Sequence, residues 1–210
     1  MLFELPKLYA ITDRRLSGLS HAEQVARLCD GGARIVQLRE KQLSPREFYR
    51  EAEEALKVAR ARGARLIIND RADIALALRA DGVHLGQDDM PPEAARALIG
   101  GGAIIGFSTH DPEQAAAAAR LPVDYVAIGP VFATSSKENP DPTVGLEGVR
   151  RAREAVGRTP LVAIGGIALE NAASVLDAGA DSVAVIGALL AADPAEITRR
   201  TRDFLARLRA

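Results

Sequence analysis

The chain has one cysteine, few lysines and no long apolar run, and each scarcity excludes a class of protein. Cys29 has no second thiol with which to form an internal disulfide, and its helical surroundings predict a small buried core residue rather than a nucleophile. No stretch approaches the roughly 18 apolar residues that a membrane span needs, so no membrane partner is expected. The start, MLFELPKLYAITDRR, lacks the pattern of a signal peptide, which predicts a reducing cytoplasm.

An excess of basic charge is also missing. The 27 basic residues face 28 acidic ones, giving a net charge of −1 at pH 7, and this balance argues against a dedicated nucleic-acid binder. Lysine is rare among the basic residues, since only Lys7, Lys41, Lys57 and Lys137 are not arginine. A lysine in so arginine-rich a chain is a candidate for chemistry that needs a compact cation.

What the chain does have is a repeated alternation of short apolar runs and helical stretches. The predicted strands are KLYAIT (7–12), RIVQLR (34–39), RLIIN (65–69), GVHLG (82–86), AIIGFS (103–108), DYVAIG (124–129), PLVAIG (160–165) and DSVAVIG (181–187). The predicted helices span 20–30, 45–62, 72–79, 92–99, 112–119, 145–157, 169–178 and 194–208. Eight βα units without GxGxxG after the first strand favour a (β/α)8 TIM barrel over an open sheet, with residues 1–210 as one domain.

Polar residues gather after the predicted strands, at the end of the barrel that we call the mouth, where barrel active sites form. Gln37, Arg39 and Lys41 share one parity along an extended chain, so their side chains are expected to point the same way. Together the two cations resemble a receptor for a multiply charged anion. The alternative is a solvated strand end whose charges pair with Glu40 or a neighbour.

Two aspartates have two possible roles. Asp70 and Asp89 each stand between a strand and a helix, where an aspartate commonly caps the helix. Taken together, two carboxylates at neighbouring strand ends predict a Mg²⁺ site, because Mg²⁺ takes one or two carboxylates plus substrate phosphate.

Glycines and histidines complete the mouth. Gly165-Gly166 and Gly187 follow strands 7 and 8, where exposed backbone N–H groups commonly bind phosphate, although glycines there can also be simple turns. Of the three histidines, His84 is predicted to be a hydrogen-bonded core residue and His21 to lie on the surface. His110 is predicted to lie at the mouth.

Six motifs, in order and spanning nearly the whole chain, resemble the thiamine phosphate synthase family. They are VQLREK (36–41), LIINDRADIALALRADGVHLGQDD (66–89), IGFSTH (105–110), YVAIGPVFATSSK (125–137), PLVAIGGI (160–167) and GADSVAVIGAL (179–189). The resemblance implies coupling of a hydroxymethylpyrimidine diphosphate to a thiazole phosphate with release of pyrophosphate. It also implies a dissociative path, in which the pyrophosphate leaves before the thiazole nitrogen attacks.

The resemblance implies a role for each matching position. Gln37 and Asn69 would contact the pyrimidine, and Asp70 and Asp89 would carry the Mg²⁺ cofactor. The diphosphate would be held by Arg39, Lys41, Ser108 and Lys137. The thiazole phosphate would be bound by Thr134, Ser135, Ser136, Gly166, Ile186 and Gly187. These two small-molecule substrates are the expected partners, and the pattern leaves the oligomeric state open.

The chain departs from the family pattern at two points. ATSSK stands where the family often has a loop close to PTxTK, and Gly187 stands where it commonly has a serine, so one hydroxyl contact to the thiazole phosphate is expected to be missing. Two alternatives remain. A thiazole tautomerase of the same superfamily would use His110 as its acid or base, and a non-catalytic thiazole-phosphate-binding regulator would need only the strand 7–8 site.

Overall fold

The computed structural model describes residues 5–134 and 141–209, and its centre is a closed parallel barrel. The strands follow one another around the barrel in chain order, and β8 pairs with β1 in parallel to complete the ring. Their bounds are β1 Leu8–Thr12, β2 Ile35–Leu38, β3 Arg65–Asn69, β4 Gly82–Leu85, β5 Ile104–Thr109, β6 Tyr125–Ile128, β7 Leu161–Ile164 and β8 Ser182–Val185. The predicted (β/α)8 barrel is therefore confirmed.

Helices connect the strands on the outside. Within the described ranges they are α1 Arg14–Ser17, α2 His21–Asp30, α3 Pro45–Ala61, α4 Ala72–Leu78, α5 Pro92–Ile99, α6 Pro112–Ala118, α7 Gly145–Val156, α8 Ala172–Asp177 and α9 Pro194–Arg207. Among these residues, none of the helices has both the length and the apolar composition that a bilayer crossing requires.

Local signals in the sequence set where the helices begin. Ser20 and Ser44 cap α2 and α3, and each forms a reciprocal capping box with the glutamate three residues on. The short helix α1 was not predicted, although Asp13 caps its start and Gly18, with φ of 73°, ends it.

Helix α8 is shorter than predicted because a side-chain turn occupies its expected first residues. The Asn171 amide oxygen accepts from Ala168 N at 2.8 Å, and its Nδ2 donates to the Gly166 carbonyl at 3.1 Å. These bonds hold the chain in a turn that precedes the helix.

The strands bury side chains on both faces, which explains their runs of β-branched residues. One face packs against the helices. The other fills the barrel with a second cluster, whose buried members are Tyr9, Ile11, Ile35, Ile67, Ile104, Tyr125, Ala127, Val162 and Ala184. The two tyrosines meet inside the barrel, with their hydroxyl oxygens 2.8 Å apart and their rings edge to face.

Gly106 on β5 makes room for one of these rings. A Cβ at this position would overlap Tyr125 at its Cε2, Cζ and hydroxyl oxygen. Since Tyr125 is fully buried, its ring has no open space into which it could move.

Gly106→Ala is therefore expected to destabilise the protein by about 1–3 kcal/mol, the usual cost of overpacking. The free energy of unfolding, measured by urea denaturation, checks this. Gly101→Ala is the control, because a Cβ there meets nothing within 4 Å. Equal stability of the two variants would show that the barrel interior adapts without cost.

Candidate active site

A cavity of about 640 Å³ opens at the C-terminal ends of the strands. This volume is typical of small-molecule sites. The cavity brings together every predicted site residue that the structure describes, and these are Gln37, Arg39, Lys41, Asn69, Asp70, Asp89, Ser108, Thr134, Gly166, Ile186 and Gly187. The predicted positions Ser135, Ser136 and Lys137 lie outside the described residues.

Arg39 is held by an aspartate that the sequence analysis did not include in the site. Its Nη1 donates to Asp13 Oδ2 at 3.0 Å, and Arg15 donates to both oxygens of the same carboxylate. Burial alone would raise the pKa of Asp13, but hydrogen bonds and charge from Arg15, together with the charge of Arg39, hold the pKa below its usual value. Asp13 is thus a buried anion that orients Arg39 at the edge of the cavity.

Asp70 and Asp89 converge, as the metal hypothesis requires. Burial, together with the hydrogen bond and negative charge of Asp70, raises the pKa of the Asp89 carboxyl, although the Gly86 amide acts the other way. Lys41 Nζ contacts Asp70 Oδ2, and Gly86 N donates to Asp89 Oδ2 at 2.6 Å. Two carboxylates and one ammonium therefore share a corner of the mouth.

The capping alternative for the two aspartates is wrong. Helix α4 starts after Arg71 and α5 after Pro91, and neither start has a side-chain cap. Asp70 instead adopts φ of 63°, a left-handed conformation that is uncommon for a residue with a side chain. Its amide donates to the His84 carbonyl at 2.8 Å, which holds this turn beside β4. Backbone strain of this kind is common at functional sites.

The donor set at this corner fits a hard divalent cation. In the described ranges no cluster of three or more His, Cys, Asp or Glu side chains is arranged to hold a metal. Two convergent carboxylates are nevertheless what Mg²⁺ uses when substrate phosphate and water supply its remaining ligands. Burial and the neighbouring Asp70 raise the pKa of Asp89, and a cation bound between the two carboxylates would act in the opposite direction.

The sequence suggested that the anion-receptor residues pair with Glu40 or with a neighbour, and they pair with neighbours, Arg39 with Asp13 and Lys41 with Asp70. Glu40 contacts His21 Nε2 at 3.2 Å, and His21 Nδ1 lies 2.8 Å from Thr12 Oγ1. The prediction that His21 lies on the surface is wrong, since it is fully buried. The signal was present, because His21 begins the buried stripe of α2 that continues through Gln24, Val25 and Leu28.

The floor of the cavity is a buried polar network. His84 is a hydrogen-bonded core residue as predicted, with Nδ1 2.9 Å from the Tyr125 hydroxyl and Nε2 2.8 Å from Ser108 Oγ. Burial lowers the pKa of His84 to about 4, so the ring is neutral. Gln37 Nε2 donates to the Tyr9 hydroxyl at 3.2 Å. Sequence reasoning missed both tyrosines.

Asn69 has a side-chain donor that is not hydrogen-bonded in the described structure. Its Nδ2 is buried without a hydrogen-bond partner in the described structure, although the residue lines the cavity. Because an unsatisfied buried donor costs about 1–3 kcal/mol, a ligand with an acceptor at this point would be favoured.

The opposite side of the mouth is built from glycines. Gly165 and Gly166 have φ of 103° and 63°, and a Cβ on either would overlap the 130–133 segment. The same segment bonds to the end of β7, since Phe132 N donates to the Gly165 carbonyl at 3.0 Å. The absence of side chains at Gly165 and Gly166 therefore lets the 130–133 segment pack closely, and it also leaves their backbone uncovered by a Cβ. His110 lies at the mouth as predicted, with Nδ1 2.9 Å from the Gly129 carbonyl oxygen.

Comparison with known proteins agrees with this arrangement. Residues 8–189 match the family model TMP-TENI, thiamine monophosphate synthase. The chain is 49% identical over 209 residues to a thiamine-phosphate synthase of Koribacter versatilis, covering 96% of this chain and 95% of the relative. It is 46% identical over 201 residues to one from Chloroflexus aurantiacus, covering 95% of this chain and 91% of the relative.

A solved structure supports the same assignment. Thiamine phosphate pyrophosphorylase from Pyrococcus furiosus superposes with a TM-score of 0.86 at 39% identity, covering 97% of this chain and 95% of that one. The relatives are transferases of thiamine biosynthesis that act on small molecules. The sequence, the barrel and the cavity thus lead to one conclusion: the chain is an enzyme that belongs to the thiamine monophosphate synthase family.

Proposed function

We propose that the protein couples 4-amino-2-methyl-5-(diphosphooxymethyl)pyrimidine to 4-methyl-5-(2-phosphooxyethyl)thiazole, giving thiamine phosphate and pyrophosphate. The observation that carries the proposal is the convergence of Arg39, Lys41, Asp70 and Asp89 around one cavity in a chain of this family. Mixed charges that pair only with one another would not need a cavity of this size.

The pyrimidine fits the floor of the cavity. Gln37 and Asn69 are buried amides that line it, and the Asn69 Nδ2 has an unused donor. An aminopyrimidine offers ring nitrogens as acceptors and an exocyclic amine as donor, which complement two amide side chains.

The diphosphate fits the charged side of the mouth. Arg39, oriented by Asp13, would present its remaining N–H groups to phosphate oxygens, and Lys41 would exchange its contact with Asp70 for the anion. Asp70 and Asp89 would hold Mg²⁺, which when bound neutralises charge on the diphosphate.

The chain's part in the reaction is to stabilise the leaving group. Ser108 Oγ lies 2.8 Å from His84 Nε2, and we assign Ser108, with the cations of the mouth, to departure of pyrophosphate rather than to nucleophilic attack. Arg39, Lys41, Ser108 and Lys137 would donate to oxygens whose negative charge grows as the carbon–oxygen bond breaks. The thiazole nitrogen would then form the new bond to the methylene carbon.

The thiazole phosphate fits the glycine side. Thr134, Gly166, Ile186 and Gly187 line the cavity opposite the carboxylates, and Ser135 and Ser136 follow Thr134 in the chain. Backbone N–H groups at such strand ends bind phosphate in other barrels. The single buried cysteine, Cys29, is compatible with the cytoplasm that we propose as the compartment.

A coupled assay tests the proposed function. Mixed with both substrates and Mg²⁺, the protein is expected to release thiamine phosphate and pyrophosphate in equal amounts, measured by chromatography. Ring isomerisation of the thiazole without pyrophosphate would identify a tautomerase instead. Binding of thiazole phosphate without any reaction would identify a regulator.

Removal of the two carboxylates tests the metal site. Asp70→Asn combined with Asp89→Asn is expected to abolish Mg²⁺-dependent activity and to weaken Mn²⁺ binding, followed by electron paramagnetic resonance, at least tenfold, because both charged ligands are lost. Asp73→Asn is the control, since this exposed residue pairs with Arg71 on the outside. Unchanged Mn²⁺ affinity in the double variant would rule out the assignment.

Two lysines allow a matched test of leaving-group stabilisation. Lys41→Ala is expected to lower kcat by roughly 10²–10³, the cost of removing one preorganised donor, and Lys137→Ala should act in the same direction. Lys57→Ala should leave kcat unchanged, because Lys57 lies on α3 and pairs with Glu53 and Glu54. The measurement is steady-state kinetics of the three variants. Full activity of Lys41→Ala would show that Lys41 does not stabilise the leaving group.

A further inference from the structure

Five buried or half-buried side chains form an unbroken hydrogen-bonded chain across the floor of the cavity. Gln37 Nε2 lies 3.2 Å from the Tyr9 hydroxyl, which lies 2.8 Å from the Tyr125 hydroxyl. The Tyr125 hydroxyl is 2.9 Å from His84 Nδ1, and His84 Nε2 is 2.8 Å from Ser108 Oγ. All five residues line the cavity.

Counting protons allows this chain two directions. In the first, Gln37 Nε2 donates to the Tyr9 oxygen, and Tyr9 donates its own proton to Tyr125. The Tyr125 proton then goes to His84 Nδ1. A neutral imidazole has one proton, which is therefore on Nε2 and is donated to Ser108 Oγ.

In this direction, one end of the chain offers a hydrogen-bond donor to a ligand and the other end offers an acceptor. Ser108 Oγ already accepts from His84, so its hydroxyl proton is available to a ligand in the cavity. At the other end the Gln37 amide nitrogen is engaged, and its oxygen has no partner among the described residues. The cavity thus offers a donor at Ser108 and an acceptor at Gln37.

Turning the Gln37 amide over would reverse every bond. Its oxygen would accept from Tyr9, Tyr9 would accept from Tyr125, and His84 would carry its proton on Nδ1. Ser108 would then have to donate to His84 Nε2 and would have no proton for a ligand. Because each hydroxyl and the neutral imidazole has one proton to donate, a mixed arrangement would leave one bond of the chain unmade, and this cost couples the two ends.

We propose that Tyr9, Tyr125 and His84 are positioning residues that couple the two ends of the cavity through the direction of their hydrogen bonds. An anion that accepts from Ser108 selects the direction in which Gln37 accepts from an amine, so anion and amine-bearing ring bind cooperatively. This inference rests on the proposed function, because the pyrimidine diphosphate joins an anion and an aromatic amine in one molecule.

The coupling is measured with the two halves of that substrate. The probes are pyrophosphate with Mg²⁺ and the uncharged 4-amino-5-hydroxymethyl-2-methylpyrimidine, titrated calorimetrically. Saturating pyrophosphate is expected to tighten binding of the pyrimidine roughly fivefold or more in the wild type. In Tyr125→Phe that ratio should fall to about one, while each probe alone still binds.

Tyr49→Phe is the matched control, because the remaining tyrosine of the chain lies on α3, outside the network. It should keep the wild-type ratio. Tyr9→Phe interrupts the chain at another point and should behave like Tyr125→Phe, which keeps the test available if one variant fails to fold. A merely structural role would weaken both probes and leave their ratio unchanged, and that result would overturn the inference.

The proton on His84 gives a second readout. Nitrogen-15 NMR of histidine-labelled protein should show the Nε2–H tautomer increase at the expense of the Nδ1–H tautomer when pyrophosphate with Mg²⁺ is added, because the anion selects that direction; the ring is assigned through contacts with the Tyr125 ring, whose centroid lies 5.6 Å away. A tautomer ratio that pyrophosphate leaves unchanged would overturn the inference. If neither probe bound, the proposed function would fail and the cooperative role would fail with it. If both bound without coupling, this inference alone would fail.

Discussion

Closure of the parallel barrel is the constraint on which the rest of the structure depends. Because β8 pairs with β1, all eight strands end at one mouth, and residues far apart in the chain become neighbours there. The contact between the Tyr9 hydroxyl on β1 and the Tyr125 hydroxyl on β6, 2.8 Å apart, follows from this closure. An open sheet with the same strand order would hold these two strands apart.

Without an anion, the charges of the mouth satisfy one another. Lys41 contacts Asp70, and Asp13 shares its carboxylate between Arg15 and Arg39. Burial, together with the nearby Asp70, raises the pKa of Asp89. A phosphate ligand must therefore compete with these ion pairs, and a cation at the two aspartates would release Lys41 for that purpose. This exchange of partners would suit the metal and the diphosphate that we propose as ligands.

The sequence predicted what depends on local pattern and strand order. The βα alternation is enough to place Gln37, Asn69, Asp89 and Ser108 at the mouth, because each follows or ends an apolar run. It could not predict contacts that depend on the interior of the barrel. The Tyr9 and Tyr125 hydroxyls meet across 116 positions of sequence, and nothing near either residue identifies its partner. The pairing of Asp13 with Arg39 likewise depends on the register of β1 and β2.

The fit between Gly106 and the Tyr125 ring has a consequence for how the protein can evolve. A side chain at position 106 is compatible only with a smaller residue at 125, and a smaller residue would remove the hydroxyl that His84 faces. The two positions are therefore expected to vary as a pair across distant descendants of this barrel. A homologue with a side chain at position 106 and a smaller residue at 125 would need another hydrogen-bond partner for His84.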